Sequence, residues 1–446
     1  MTKSFYIISL GCAKNLTDSE SMAYLLENEG YILTDKIQDA QIILINTCAF
    51  IQDAKEEAVR EILKAAQIKE LNNDAKLIVA GCLAQRYADE LKDEIPEIDA
   101  FVGTGKYADI IKAVKQAEAG NKTCFTQDID CDIKETQRKI FTKKPVAYLK
   151  ISEGCARNCT YCVIPKLRGK YRSRKLEDII KEAKNLANDG YNEIILVAQD
   201  VTLYGIDLYK SKKLVALLTE LNNIENIKRL RLMYAYPEGL DDDIINCFTK
   251  LDKLQKYIDI PIQHINNQIL KSMGRSTSKE NIIALYNKLK SAVPEIAIRT
   301  TFIVGFPGET DEQFGEITDF INNYPFDKVG VFKYSQEEGT PAAQMTDQIK
   351  KQVKTKRYNT LMRHQQKISR GINNSYIGLN TEVLIYDKIE SNIYLGRTYR
   401  DAPDIDGGVI IASDEELIIG KYYNCIITGA DEYDLQGKVI KDEFSQ

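Results

Sequence analysis

Three short apolar runs in the first third of this 446-residue chain each end near a cysteine and lead into helical sequence. The runs are Phe5–Ser9, Gln41–Asn46 and Lys76–Ala80, and the cysteines that follow them are Cys12, Cys48 and Cys82. Intervals of 36 and 34 residues each suit one βαβ unit. Parallel strands in such units carry their carboxyl ends to one edge of the sheet, where α/β folds bind ligands. One cysteine in a βα loop would read as an ordinary core residue. Three at the same topological position are expected to meet in space, as three protein ligands to one cluster. The first helix has a capping-box pattern, Thr17-Asp-Ser-Glu20.

A second cysteine set lies in one loop, Cys155-Ala-Arg-Asn-Cys159-Thr-Tyr-Cys162, after the apolar run Ala147–Ser152. Thiolates are soft ligands, and three of them can hold three irons of a cubane cluster. With no fourth cysteine at matching spacing, one iron keeps a site for a substrate, and Tyr161 supplies an aromatic wall beside it. Zinc prefers four ligands, usually in two pairs. Bacterial ferredoxin runs space their cysteines two apart. Neither fits. The spacing and the aromatic before the third cysteine resemble the radical S-adenosylmethionine (SAM) superfamily.

From Pro145 to Tyr334 strands alternate with helices, with strands expected at Ala147–Ser152, Glu193–Val197, Arg229–Met233, Tyr257–Ile260, Ala297–Val304 and Lys328–Phe332. Six repeats are too few for a closed eight-stranded barrel, and the resemblance implies an open (β/α)6 barrel with its active groups at the strand carboxyl ends. It also implies SAM contacts. Gly190 and Glu193 look like the family's Gly-Gly-Glu region, which binds the methionine amino end. Gly305 in Thr301–Thr310 would let backbone approach the cofactor, with Ile303 and Val304 packing on adenine; a helix-entry loop is the plainer reading. Arg172 and Arg174, with Arg168, form a basic run able to bind the carboxylate of SAM or of a substrate, or simply a solvated surface. His264 suits a structural or an active-site role. Cys124, Cys131, Cys247 and Cys425 lack matching partners and read as free or structural thiols.

A charged helix is expected at Gln348–Asn373, then short β runs at Thr381–Tyr386, Ile393–Arg397, Gly408–Ala412 and Tyr423–Ala430, which read as a small antiparallel barrel. The expected division is therefore a domain at 1–123, a linker at 124–144, a core at 145–372 and a barrel at 373–446. In this order the chain resembles the radical SAM methylthiotransferases, whose last domain is called TRAM. Ser9–Glu20, Val197-Ala-Gln-Asp200 and Gly396–Gly407 resemble its RimO branch, which modifies an aspartate of the small-subunit ribosomal protein uS12. The tRNA-modifying MiaB branch typically reads Gly-Gln-Asn where this chain has Ala198-Gln199-Asp200.

The resemblance implies two 4Fe-4S clusters and two SAM molecules per turnover. One SAM is cleaved by an electron to a radical that takes hydrogen from the aspartate β-carbon, and the other methylates a sulfur held at the Cys12/Cys48/Cys82 cluster. An external low-potential electron donor and a sulfur source are further implied partners. Two alternatives are the same chemistry on tRNA adenosine and a non-catalytic iron–sulfur electron carrier, which would need four-cysteine sites.

Charge argues for a protein substrate. Net charge is −5 overall, and residues 374–446 carry 14 acidic and 6 basic side chains, a net of −8. Binding RNA means neutralising phosphates with Lys and Arg, so tRNA is an unlikely partner for this barrel on charge; an acidic surface would steer a basic ribosomal protein. No apolar run reaches membrane-span length, the first residues lack a signal-peptide pattern, and ten cysteines suit a reducing compartment. A cytoplasmic enzyme with no membrane partner is expected.

Overall fold

Strands β1 (Ser4–Ser9), β2 (Ile32–Leu33), β3 (Ile42–Thr47), β4 (Lys76–Gly81), β5 (Ile98–Val102) and β6 (Thr123–Phe125) form one sheet in the order β2-β1-β3-β4-β5-β6. Every neighbouring pair is parallel. The structure is a computed structural model that describes residues 3–72 and 74–440. A parallel sheet must be covered on both faces, which requires near-continuous apolar strands. β3 and β4 meet this by alternation: Ile43, Ile45, Leu77 and Val79 enter one core, and Ile42, Leu44, Ile78 and Ala80 enter the other.

In the central domain β7 (Val146–Lys150) leads into a short antiparallel pair, β8 (Ser152–Glu153) with β9 (Arg172–Ser173), which closes the base of the cysteine loop. The strands β10 (Glu193–Val197), β11 (Arg229–Leu232), β12 (Leu254–Gln263), β13 (Ala297–Val304) and β14 (Lys328–Lys333) then follow. Their order is β14-β13-β12-β11-β10-β7, all parallel, an open six-stranded partial barrel. Alternation again sorts the side chains. Ala147, Leu149, Ile194 and Leu196 pack in the large core shared with the helices, whereas Tyr148, Ile195 and Val197 share a second core with Met233 and Tyr257. Leu384 and Ala402 of the C-terminal domain complete that second core.

The C-terminal barrel has five strands: β15 (Asn380–Glu390), β16 (Ile393–Arg397), β17 (Val409–Ala412), β18 (Tyr422–Ala430) and β19 (Leu435–Val439). They close in the order β15-β16-β17-β19-β18. The four-run reading missed β19, whose alternate residues are polar. It pairs parallel to β17 and antiparallel to β18, so the barrel is not wholly antiparallel. The preceding helix runs Lys351–Asn374, starting three residues later than the charge pattern suggested.

One local expectation fails, and one segment is held more firmly than its polar composition suggests. The helix Ala13–Asn28 takes Cys12 as its N-cap, so Thr17 and Glu20 lie inside it and form no capping box. Thr17 donates to the Lys14 carbonyl, and Glu20 pairs with Arg138. The 124–144 segment is not a free tether: Arg138 also pairs with Glu182, and Glu135 pairs with Arg174 of the central domain.

Glu193 opens β10 at its amino end, the edge opposite the cysteine loop. It is 0% exposed and accepts from Arg397 of the C-terminal barrel at 2.8 Å and from Arg231 at 3.4 Å. Its expected SAM contact is therefore corrected to an interdomain ion pair. Burial alone would raise the Glu193 carboxyl pKa, but Arg397 and Arg231 more than offset it and bring it to about 2. Its stabilising contribution is thus complete above the ordinary value of 4.5 and is lost as pH falls toward about 2. Glu193→Gln leaves buried arginines uncompensated and is expected to cost about 3–5 kcal/mol. Thermal denaturation at neutral pH should show the loss, and the gap to wild type should shrink on acidification below pH 4.5.

Candidate functional site

Cys155, Cys159 and Cys162 stand in the loop beyond the carboxyl end of β7. Gly154 turns the chain there with φ +77°, and a side chain on it would lie 2.0 Å from the Lys170 carbonyl. The loop is pinned from outside by Thr160, whose N–H donates to the Met273 carbonyl and whose carbonyl accepts from the Ala342 N–H, both at 3.0 Å. Backbone N–H groups of Arg157 and Ile164 point at Cys155 Sγ and Cys162 Sγ, at 3.4 and 3.5 Å. The Tyr236 hydroxyl lies 3.0 Å from Cys159 Sγ. Tyr236 is held between two cations, with Arg157 4.5 Å and Arg275 4.1 Å from its ring centroid. Arg157 is fixed by Asp200, at 2.8 Å.

The N-terminal triad assembles at the carboxyl ends of β1, β3 and β4. Gly11, at φ +87°, is a necessity of close approach: a Cβ there would meet Cys48 Cβ at 2.7 Å and Cys48 Sγ at 3.1 Å. That contact sets Cys48 directly against the Gly11-Cys12 turn. Asn15 ties the three loops together by donating to the carbonyls of Leu10 and Thr47, while Cys82 Sγ donates to its side-chain oxygen at 3.8 Å. Cys48 feels the charge of Cys12, and Cys82 feels that of Cys48 and Cys12.

Both triads offer what an iron–sulfur cluster requires, three thiols apiece with N–H or O–H donors aimed at sulfur in the central set. Among the described residues no three His, Cys, Asp or Glu side chains close around a point fit for a single ion. A cubane takes one thiolate at each iron, so its ligands stand at separate corners. The two triads are also joined. Arg168, 2% exposed, donates to Asp18 at 2.8 Å, to Glu153 at 3.0 Å and to Asn15. Glu153 precedes Cys155 by two residues and also accepts from Lys150 and from Gln199. A cavity of ≈280 Å³ opens beside Cys12, walled by Tyr148, Met233 and Tyr234 of the central domain and by Ala402–Ile405 of the barrel domain.

Several expected SAM contacts are spent elsewhere. Gly190 ends the helix Leu176–Asn188 in a left-handed turn near Lys144. Arg174 is committed to Glu135 and Glu182, and Arg172 to Asp130. The Gly305 N–H donates to Glu309 at 2.7 Å, and the glycine is required by Lys354, 2.4 Å from where a Cβ would stand. Ile303 and Val304, as strand neighbours, face opposite ways. Val304 is in the helix-side core and cannot share a ligand with Ile303, which packs, like Tyr161, against the cluster of Ile269, Met273, Phe306, Tyr334 and Ala342. Tyr161 and Ile303 remain candidates to flank a ligand. His264 is wholly buried, with Nδ1 accepting two backbone N–H groups, so burial and Arg357 hold its pKa down at about 3 and its role is structural. Cys131 and Cys247 donate to backbone carbonyls, and all ten cysteines are free thiols. Sequence reading passed over Tyr236, Arg157 and Arg275, and used Gln199 only as a branch signature. The rule that ligand-facing groups follow strand ends would have found Gln199 and Tyr236, two and four residues beyond β10 and β11.

Residues 149–321 match the radical SAM superfamily, residues 377–440 the TRAM domain, and residues 4–103 a family described as the uncharacterized protein family UPF0004. Among solved structures, the radical SAM methyltransferase TsrM from Kitasatospora setae, with cobalamin and a [4Fe-4S] cluster bound, aligns over 77% of this chain and 74% of its own at a TM-score of 0.57. At 15% identity that likeness speaks for the fold alone. Fold and sequence together define a radical SAM enzyme. The ribosomal protein uS12 methylthiotransferase RimO of Clostridioides difficile (strain 630) is 49% identical over 433 residues, 97% of this chain and 98% of that one. The RimO of Acetivibrio thermocellus is 47% identical over 451 residues, 99% of each chain. The chain belongs to the RimO family of methylthiotransferases.

Cys12 stands apart electrically, because burial raises the thiol pKa of its neighbours Cys48 and Cys82, the latter to about 12. Burial alone would raise the Cys12 thiol pKa, but Lys14 and Arg168 bring it below the ordinary 9.0. Burial pushes Cys155 up to about 11 and Cys162 to about 12. Because the thiolate is the nucleophile, iodoacetamide at pH 8 should label Cys12 of the metal-free protein ahead of Cys155 and Cys162. Peptide mass spectrometry of timed samples should show the gap closing as pH rises toward 11.

Proposed function

We propose that this chain replaces a hydrogen on the β-carbon of an aspartate of ribosomal protein uS12 with a methylthio group, using SAM as both radical source and methyl donor. The observation that carries this reading is the pair of cysteine triads, each at the carboxyl edge of its own parallel sheet, coupled through Arg168. A ribosomal substrate is supported by the names of the relatives, and by the barrel surface. Arg397 and Arg400 are buried in ion pairs with Glu193 and Asp327, which leaves Lys388, Lys421 and Lys438 as its exposed cations among the described residues. Exposed Glu382, Glu390, Asp404, Asp414, Glu415, Glu416 and Asp431 outnumber them, a surface suited to a basic protein and poorly suited to a phosphate backbone.

A cluster on Cys155, Cys159 and Cys162, once bound, would supply the electron that cleaves SAM, and one on Cys12, Cys48 and Cys82 would hold the sulfur. The chain's own part is position and exclusion of water. Tyr236 and the loop amides brace the central sulfurs, Tyr161 and Ile303 offer an apolar flank, and Gln199 with Glu153 presents polar groups at the same edge. The electron comes from an external low-potential donor, and a sulfur source supplies the sulfur. Reaction in the cytoplasm fits such chemistry, and no helix among the described residues is long and apolar enough to cross a membrane.

Single alanine replacements separate the two triads. Cys155→Ala is expected to abolish SAM cleavage, measured as 5′-deoxyadenosine formed under reducing conditions. Cys48→Ala should still cleave SAM yet form no methylthiolated product. Product from the Cys48 variant would overturn the division of labour.

A further inference from the structure

The buried cations around the two triads are matched to carboxylates, with one exception. Arg168 and Lys150 share Asp18 and Glu153, Arg157 holds Asp200, and Arg174 holds Glu135 and Glu182. Lys14 is 9% exposed and has neither a hydrogen-bond acceptor nor a carboxylate partner among the described residues. Its ammonium sits 3.6 Å from the centroid of the Tyr234 ring. A ring face holds an ammonium through its quadrupole and uses up none of the three N–H donors. The ring is placed at some cost: Tyr234 has φ +63°, a region bulky residues rarely adopt, and its N–H is fixed on Asp259 Oδ2 at 3.2 Å.

Lys14 also lies beside the N-terminal triad and within electrostatic reach of the root of the central cysteine loop. It follows Cys12 by two residues, its charge bears on Cys12 and Cys48 on one side, and on the other it feels Glu153, two residues before Cys155. Tyr234, beneath it, lines the ≈280 Å³ cavity beside Cys12. We propose that Lys14 binds the side-chain carboxylate of the substrate aspartate and so selects aspartate over its neutral isostere. The assignment rests on the function proposed above, in which hydrogen leaves and sulfur arrives at one carbon. That carbon must reach both triads, and the carboxylate is bonded directly to it, so the carboxylate enters the space between them. A carboxylate taken from water into such a place needs a charged partner. Lys14 has donors to spare.

The test uses the full-length, cluster-reconstituted protein and two synthetic peptides spanning the uS12 target residue, one with aspartate and one with asparagine at that position. Affinity is read by fluorescence anisotropy, and iron content is counted for every variant. Wild type should prefer the aspartate peptide. Lys14→Met should weaken that peptide roughly 10- to 100-fold, the loss of one charged hydrogen bond, with asparagine-peptide affinity and iron content unchanged. Lys14→Arg should keep part of the preference. An unchanged preference in Lys14→Met, or equal losses on both peptides, would overturn the assignment. Loss of iron with the preference intact would overturn it too, making Lys14 a counter-charge to the cluster. Wild type binding neither peptide would sink the assignment together with the function on which it rests.

Discussion

The Arg168 guanidinium is the point on which the site depends. It leaves the central cysteine loop, is almost wholly buried, and ends on Asn15 and Asp18 of the N-terminal domain while gripping Glu153 of its own. A buried ion pair of this kind adds little net stability, but losing one member strands the others in a low-dielectric interior. The consequence is geometric more than energetic. Asn15 is the residue that draws the loops of Cys12, Cys48 and Cys82 together, and Glu153 stands at the root of the Cys155 loop. One side chain thus sets the relation between two cysteine sets that belong to different sheets.

A second ion pair works at the opposite edge. Glu193, Arg231 and Arg397 tie the C-terminal barrel to the amino end of β10, and Leu384 and Ala402 enter the core on the concave face of the partial barrel. This docking places Ala402–Ile405 across from Cys12, so the cavity beside Cys12 has walls from all three domains. The barrel domain is therefore part of the pocket wall as well as an acidic outer surface.

The architecture was legible in the sequence because parallel strands, cysteine spacing and alternating β runs are local patterns with one sensible assembly. The meeting of Cys12, Cys48 and Cys82 followed from topology alone, through the shared carboxyl edge of β1, β3 and β4. What failed were assignments that needed a partner from far along the chain. Glu193 and Gly190 lie at the wrong end of their strand, a fact that depends on where β10 begins. Arg172 and Arg174 resembled a ligand-binding run, yet their partners are Asp130, Glu135 and Glu182. Gly305 resembled a cofactor glycine, but Lys354 of a distant helix requires it. Thr17 and Glu20 matched a capping box only because Cys12, five residues before Thr17, does not look like a cap. Lys14 carries no spacing signal and emerges only when loops of different strands are brought side by side, whereas Tyr236 was there to be found just beyond the end of β11.

The account's central claim is that radical chemistry at one triad and sulfur at the other act on an aspartate of a ribosomal protein. Mass spectrometry of the host's ribosomal proteins and of its tRNA, with and without this gene, tests it most directly. The account predicts that one aspartate-containing peptide of uS12 loses a methylthio group when the gene is absent while tRNA nucleosides are unchanged. Loss of the group from tRNA adenosine instead would contradict the assignment of substrate, and no change in either would contradict the assignment of chemistry.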